Sequence, residues 1–488
     1  MPIPPLRLRS VNDHPLRADG DYVLYWMIAF RRLGWNFALD HALDRAHALG
    51  KPLLIFEPLR VRYRWASDRL HRFVIEGMRE HATALKGSRV GYYPYVEPRP
   101  GAGTPLLHRL AARACTVVTD DYPCFFLPQM IEAVRRRIPA PLELVDSNGL
   151  MPMRAAERTF TVAHSYRRWM QKTLPEHWDR FPRAAPLARV DVPPLGALPQ
   201  ALTRRWPPAD LDALLAEGGL SELPLDHSVP AGTIRGGSAE AGRRLERFLQ
   251  ETLPAYGEDR NHPDRVGSSQ LSPHLHFGQL AAHEIVSRLW EQEDWQPDQC
   301  GAVNGKNRGY WNTSAPAEAF LDQLLTWREM GFNMTHRHPD RYDRFESLPA
   351  WSQKTLAEHA DDPRPVVYDL DQFERAATHD ELWNAAQRQL RREGIMHNYL
   401  RMLWGKKILH WTESPRQALE ILIELNNKYA LDGRDPNSYS GIFWTLGRYD
   451  RAWGPKRPVF GSVRYMTSDS ARRKLRLKNY LRRYAAEA

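Results

Sequence analysis

Residues 22–59 read YVLYWMIAFRRLGWNFALDHALDRAHALGKPLLIFEPL, and this stretch decides the fold. It opens on an apolar run, YVLYWMI (22–28), passes through a helical pattern, FALDHALDRAHALG (37–50), and returns to an apolar run, PLLIFEPL (52–59). Short runs rich in aromatic and branched residues, joined by a segment with apolar positions three and four apart, are the pattern of a β-α-β unit in a buried parallel sheet.

The alternation continues outward. A helix through RLHRFVIEGMREHATAL (69–85), the run VGYYPYV (90–96), a helix LLHRLAARA (106–114), the run CTVVTD (115–120), a helix PQMIEAVRRRI (128–138) and LELVD (142–146) follow in order. The expectation is an α/β domain over residues 20–148 with a five-stranded parallel, doubly wound sheet. No G-x-G-x-x-G follows the first strand, so a dinucleotide fingerprint is missing there. Residues 149–240 are proline-rich, as in RFPRAAPLARVDVPPLGALPQ (180–200), and read as a long interdomain linker with a few short helices. From 241 to 488 the periodicity is helical, as in AEAFLDQLLTWREMGFN (317–333) and HDELWNAAQRQLRREG (379–394), and predicts an all-α second domain.

Composition narrows the function. The chain has 488 residues, 42% hydrophobic and 26% charged, the balance of a two-domain globular enzyme rather than of a disordered chain. No apolar run approaches the roughly 20 residues that a membrane span requires. The start, MPIPPLRLRSVNDHP, lacks the apolar stretch of a secretory signal, so a cytoplasmic protein with no membrane partner is expected. Cys115, Cys124 and Cys300 form no C-x-x-C pair; neither a metal site nor a disulfide framework is expected. A net charge of +10 favours a polyanionic partner through phosphate neutralisation and counterion release. Tryptophan is abundant, at 16 of 488 residues, and several stand in the polar carboxy-terminal half.

Six strings stand in order across that half: SSQLSPHLHFGQ (268–279), WREMGFN (327–333), WNAAQ (383–387), IMHNYLRMLWGKKILHWTESP (395–415), LNNKYALDGRDPNSY (425–439) and RPVFGSVRYM (457–466). Their order and spacing resemble class II cyclobutane pyrimidine dimer photolyases, of the photolyase/cryptochrome family. The amino-terminal part resembles that family more loosely, through YVLYWM, FALDHAL and VVTDDYP (117–123). Where the family has a polar stretch with an Arg-Asp pair after its first strand, this chain reads AFRRLGWN (29–36). The resemblance implies light-dependent repair of pyrimidine dimers in DNA by electron transfer from photoexcited reduced FAD (FADH−) to a flipped-out dimer; a monomer is expected. It leaves room for a second, antenna chromophore of unspecified identity.

A flavin dinucleotide carries two phosphates, which backbone amides and small hydroxyls at a helix start hold. Ser268, Ser269, Gln270, Leu271 and Ser272, ahead of the helical run AAHEIVSRLW (281–290), are the implied cradle; the same serines also read as an ordinary helix cap. The resemblance adds Tyr256 near the phosphates, Arg401 paired with Asp432, Asp435 near the cofactor, and Asn426 at flavin N5, whose hydrogen an asparagine accepts. Trp404 and Trp411 are two helical turns apart and share a helix face, with Trp383 on the preceding helix. The resemblance makes Trp404 the proximal, Trp383 the middle and Trp411 the terminal member of an electron relay; core packing is the competing reading.

A flipped-out dimer needs an apolar wall for its rings and hydrogen-bonding groups for its edges. Glu329 matches the family carboxylate at the thymine carbonyls and, beside a carbonyl, is expected to have a raised pKa. Asn333 and Asn398 add amides, and Met402 a soft apolar contact. Trp444 and Trp453 resemble the pair against which the dimer leans, with one residue fewer between them than the family pattern and Tyr449 where a histidine is expected. Arg448 and Arg451, with Lys456 and Arg457, interleave with these rings in a way that suits unpaired bases beside a phosphate backbone.

Other readings remain open at this level. One is a cryptochrome-like blue-light photoreceptor, for which the basic end SDSARRKLRLKNYLRRY (468–484) is a short tail. Another is repair of the 6-4 photoproduct, which requires a site histidine; His274 and His397 are the candidates. A third is a helical nucleic-acid-binding protein without flavin.

Overall fold

The computed structural model describes residues 3–486. Six strands form one sheet in the order β1-β6-β5-β2-β3-β4: β1 (Leu8–Ser10), β2 (Tyr22–Trp26), β3 (Leu53–Leu59), β4 (Gly91–Val96), β5 (Ala114–Asp120) and β6 (Leu142–Val145). The five expected strands are present and parallel to their neighbours. The sixth, β1, was not anticipated; it lies upstream of residue 20 and pairs antiparallel with β6, Arg9 opposite Leu144. Three residues of mixed polarity carry no period of their own, so pairing with β6 alone makes them a strand.

Helices α1 (Phe37–Leu49), α2 (Asp68–Ala84), α3 (Gly103–Ala111) and α4 (Leu127–Arg135) are the crossovers. α1 starts where the Asn36 side chain accepts from the Ala38 and Leu39 amides and stops at Gly50 in the left-handed region, φ 59°. At the carboxyl end of β5, buried Asp120 accepts from the backbone N–H groups of Ile28, Ala29 and Phe30 at 2.7–2.9 Å and from the Tyr25 hydroxyl at 2.8 Å. That carboxylate folds the segment after β2 across the sheet's carboxyl edge.

The remaining chain is helical. Residues 150–174, including α5 (Ala163–Thr173), pack with α6 (Ser238–Arg247), Phe248, Leu289, Phe320 and Met334 in one apolar core. A second apolar core runs from the sheet into the helices that carry Trp383, Trp404 and Trp411. Polar rivets join the two halves: Arg32, itself held by Ser147, donates to Gly278 O (3.0 Å), and Gln279 Nε2 donates to Phe73 O (3.1 Å). No helix among the described residues is long and apolar enough to cross a membrane.

Candidate active site

The carboxy-terminal site is built on α11 (Asn398–His410), α12 (Pro415–Tyr429) and α13 (Pro436–Thr445), preceded by α7 (Ser272–His276), α8 (Ala282–Gln292), α9 (Arg328–Arg337) and α10 (Glu381–Glu393). The turn ALDGRDPN links α12 to α13. A Cβ on Gly433 would stand 2.5 Å from Asn426 O, so glycine is required for the turn to fold back on α12. Gly433 O then accepts from Asn426 Nδ2 at 2.9 Å. Asn426, 1% exposed, also donates to Ser438 Oγ (3.0 Å), and its Oδ1 accepts from the Arg401 guanidinium. Arg401 pairs with Asp432 at 3.2 Å and donates to Ser438 Oγ at 2.9 Å. Arg401, Asn426 and Asp432 are thus one cluster, and Ser438, unmarked in the sequence, is its fourth member. Asn426 Oδ1 keeps a second lone pair.

Asp435 does not join them. Its side chain caps α13 through the Asn437 amide (2.8 Å), accepts from the Tyr122 hydroxyl (3.2 Å) and faces His276 at 3.6 Å. Burial would raise its pKa, but the bond and charge of His276 hold it below the ordinary value. It ties the helices to the sheet, because an N-cap aspartate has its carboxylate aimed at backbone amides.

The serine run differs from its sequence reading in one respect. The chain does not pass directly into AAHEIVSRLW; the short α7 intervenes, with Leu271 at its N-cap and no side-chain cap bond. Ser268 and Ser272 are exposed and Ser269 is half-buried. Leu271 is buried and Gln270 has φ 53°, which turns the chain here. A Cβ on Gly267 would lie 2.3 Å from the Asp259 carbonyl carbon, so the segment after buried Tyr256 crosses directly over the start of this run. Arg260 lies 5.5 Å from the Tyr256 ring centre, and Arg244 Nη1 donates to Gln270 Oε1 at 3.4 Å. Arg244 is also paired with Glu240 at 2.7 Å, so hydroxyls not spent on a cap, with Arg260 at Tyr256, are the groups here that fit the anionic diphosphate of FAD.

Three tryptophans lie side by side. Trp383 stacks on Trp404, centroids 6.4 Å apart and planes within 8°, and meets Trp411 edge-on at 6.2 Å and 67°. Trp383 is therefore spatially between the other two. Trp404 Nε1 donates to Gln387 Oε1 at 2.9 Å. Trp411, just past the end of α11, is 1% exposed: Tyr368 and His379 pack on its ring at 5.8 and 4.9 Å, and Lys407 Nζ lies 5.0 Å from its centre.

Several residues expected at the lesion are engaged elsewhere. Glu329, 3% exposed, accepts from the backbone amides of Leu150 (2.8 Å) and Met151 (3.0 Å). Asn333, one turn on, accepts from Phe160 N and donates to Arg158 O, both at 3.0 Å. Both clasp residues 150–160 to α9. Gly331, roughly 200° around the helix from Glu329, is the position that meets Pro436 and Ser440 of α13. Burial raises the Glu329 pKa to about 7, against the lowering effects of Arg328 and the two amides. The shift agrees with expectation, but its cause is burial in the clasp. Arg448 is likewise no surface contact: 3% exposed, it donates to Tyr342 O (3.1 Å) and Ser347 Oγ, and lies 3.8 Å from the Phe443 centre.

The two wall tryptophans do come together, through a residue the sequence did not single out. Arg464 lies 4.0 Å from the Trp453 centre and 5.5 Å from that of Trp444. Asp450 holds Arg464 at 2.8 Å and accepts from Trp453 Nε1 at 3.1 Å. Lys406, fully buried, backs Trp444 at 4.7 Å and donates to Thr445 O at 2.7 Å. Arg451 is exposed and 4.6 Å from the Trp453 centre. Tyr449 is buried with φ 66°, its hydroxyl turned inward to Met330 O. Asn398 is exposed and Met402 half-buried, its Cε beside Gly441.

Comparison with known proteins agrees with this architecture. Over 483 residues the chain is 32% identical to the deoxyribodipyrimidine photo-lyase of Methanothermobacter thermautotrophicus, covering 98% of this chain and 97% of that protein. The enzyme of the same name from Arabidopsis thaliana is 32% identical over 97% of this chain and 91% of its own length. That from Potorous tridactylus is 30% identical over 98% and 84%. A crystal structure of a bacterial class III photolyase from Agrobacterium tumefaciens superposes with a TM-score of 0.66 at 16% identity, over 95% of this chain and 86% of that one, a likeness of fold. No family model matches the chain. With near-complete coverage at this identity, the chain belongs to the deoxyribodipyrimidine photo-lyase family.

Proposed function

We propose that this protein is a class II photolyase that reverses cyclobutane pyrimidine dimers in DNA. The observation that carries the reading is the adjacency of two arrangements on α11: the Arg401–Asn426–Asp432 cluster, and the Trp404–Trp383 stack, whose first member is three residues, about one turn, from Arg401. Bound reduced FAD supplies the light-driven electron. Ser268, Ser269, Ser272, Tyr256 and Arg260 hold its diphosphate, and Arg401 orients Asn426 toward the flavin edge. Trp383, between Trp404 and Trp411, gives a continuous aromatic path, and the exposed His379 packed on buried Trp411 is its outer end.

Trp444 and Trp453, with Arg464 and Arg451, supply flat rings beside cations, which suits unstacked bases next to phosphates. Histidine chemistry of the 6-4 type is less well supported. His274 is fully buried, bonded to Gln279 at 3.1 Å and packed on Phe73 at 5.1 Å between the two halves. An aromatic cavity walled by Tyr63, Tyr122, Phe125, Phe126, Phe277 and Arg434 lies at the carboxyl ends of β2, β3 and β5. Chain order reverses between β2 and β5, where ligands of such sheets bind, and an antenna chromophore would lie there. The test is illumination of the fully reduced protein with dimer-containing duplex: dimers are lost in blue light and persist in the dark. Dimer levels unchanged by light exclude repair and favour a photoreceptor.

A further inference from the structure

The end of the chain carries a charged surface that the repair site does not use. Helix α15 (Lys478–Arg483) packs against α10, and α14 (Ser468–Lys474) is tied to the N-cap of α10 by the Ser468 hydroxyl, which donates to Asp380. Ala471, Leu477, Tyr480 and Tyr484 are buried there; Tyr480 donates to Gln389 Oε1 at 2.9 Å, and Arg388 Nε donates to Tyr484 O at 2.8 Å. With these inward positions fixed, Arg472, Arg473, Lys474, Arg476, Lys478 and Arg482 are all turned to solvent. None of the six has a carboxylate within 4 Å among the described residues. The strip begins four residues past Arg464, the cation that lies over Trp444 and Trp453.

The same strip is fastened to the segment that precedes the serine run. Asp264 accepts from the amides of Asn479 (3.1 Å) and Tyr480 (2.7 Å) at the start of α15. Its own N–H donates to Arg476 O at 3.2 Å, and Arg476 N donates to His262 Nδ1 at 3.3 Å. Residues 259–266 therefore hang between two fixed points: Gly267, pressed on Asp259, and the basic strip. Their other neighbours are Tyr256 and Ser268–Ser272.

We propose that the 468–484 strip binds phosphates of the duplex flanking the lesion and, through Asp264 and His262, couples DNA binding to retention of FAD. The DNA half stands on the exposed charge alone; the coupling half rests on the reading of Ser268–Ser272 as the diphosphate cradle. Phosphates that neutralise the strip remove the mutual repulsion of six cations and hold it rigid, and the segment clamped to it is held with it. Ligand that rigidifies an element shared with a second site strengthens binding there, and the effect is reciprocal.

The experiment uses the FAD-loaded full chain and undamaged duplex. In the triple variant Arg472→Gln, Arg473→Gln, Lys474→Gln, the slope of log affinity against log salt becomes shallower by about 2 to 3, near 0.9 for each phosphate contact removed. In wild type, saturating duplex slows FAD release severalfold. Asp264→Ala keeps the wild-type salt slope and loses that slowing. An unchanged salt slope in the triple variant, or a loss seen on anionic lipid vesicles and not on duplex, overturns the DNA half. Slowing of FAD release that survives Asp264→Ala overturns the coupling. Ser268→Ala with Ser272→Ala separates the two readings: unchanged FAD affinity there removes the cradle itself, while the salt-slope result stands.

Discussion

Trp383 lies flat on Trp404, with planes within 8° and centroids 6.4 Å apart, and its Nε1 donates to the Trp404 carbonyl at 3.1 Å. The hydrogen bond fixes the sliding position of one ring over the other, so the stack is held by backbone as well as by packing. Trp383→Phe shortens the ring and removes that donor. Photoreduction of bound flavin then slows by at least about tenfold, equivalent to about 1.4 kcal/mol on the barrier. Repair by chemically reduced protein persists. Transient absorption and a dimer-repair assay on the same sample check this; equal loss in both assays shows that the stack is structural only.

Arg401 is the common partner of Asn426, Asp432 and Ser438. Arg401→Met leaves the Asp432 carboxylate without its cation and frees the Asn426 amide to rotate. Truncating one member of such a charge pair costs about 2 kcal/mol or more, and FAD affinity falls by about thirtyfold. The ratio of flavin to protein absorbance, followed by FAD titration, measures it. Affinity unchanged within threefold removes Arg401 from the cofactor site.

Glu329 gives the protein a pH dependence of known sign. Its pKa rises from 4.5 in the open chain to about 7 in the folded one. Burial of the ionised form is what costs, so the folded state is most stable below pH 4.5 and loses that stability as pH rises through about 7, although the Leu150 and Met151 amides themselves favour the carboxylate. A shift of this size is worth on the order of 3 kcal/mol between the two limits. Glu329→Gln is less stable than wild type at pH 5, because one amide N–H then faces a donor, by about 1–2 kcal/mol. It loses less on going to pH 8. Urea midpoints of both proteins at the two pH values test this; parallel pH profiles refute it.

Arg69 of α2 fastens the sheet domain to the helices by backbone carbonyls alone: Pro230 O (3.2 Å), Leu390 O (3.3 Å), Tyr429 O (2.9 Å) and Arg391 O (2.5 Å). Burial brings its pKa down to about 10, so it remains charged at neutral pH. Arg69→Met keeps the aliphatic stem and removes this donor from Pro230 O, Arg391 O and Tyr429 O, while Leu390 O keeps the Gly394 amide at 3.0 Å, a loss of about 3 kcal/mol. Thermal denaturation reads the change, and a loss below about 1 kcal/mol means that water replaces the guanidinium.

Local pattern carried the sheet far. YVLYW, PLLIFEPL, GYYPYV and CTVVTD are strands because apolar side chains there leave no polar face, and Asn36 and Gly50 mark the ends of α1 in plain sight. LRS (8–10) was invisible because three residues have no period. The seven-residue spacing of Trp404 and Trp411 showed a shared face but not that Trp383 would come between them.

The sequence by itself determined the β-α alternation, the helical second half, the family motifs in their order and the excess of cations. Each is written in the 2.0 or 3.6 residue period, or in residues adjacent along the chain. Tertiary structure alone decided which way Glu329, Asn333 and Arg448 point. Residues 328–335 are buried on every side, so no polar face marks a direction, and only the arrival of Leu150, Met151 and Phe160 from elsewhere in the chain chooses one. It also decided that the serines of 268–272 are not a cap, since that depends on α7 starting at Ser272 and α8 starting ten residues later at Ala282. Facing is a property of long-range packing, which a period along the chain does not encode.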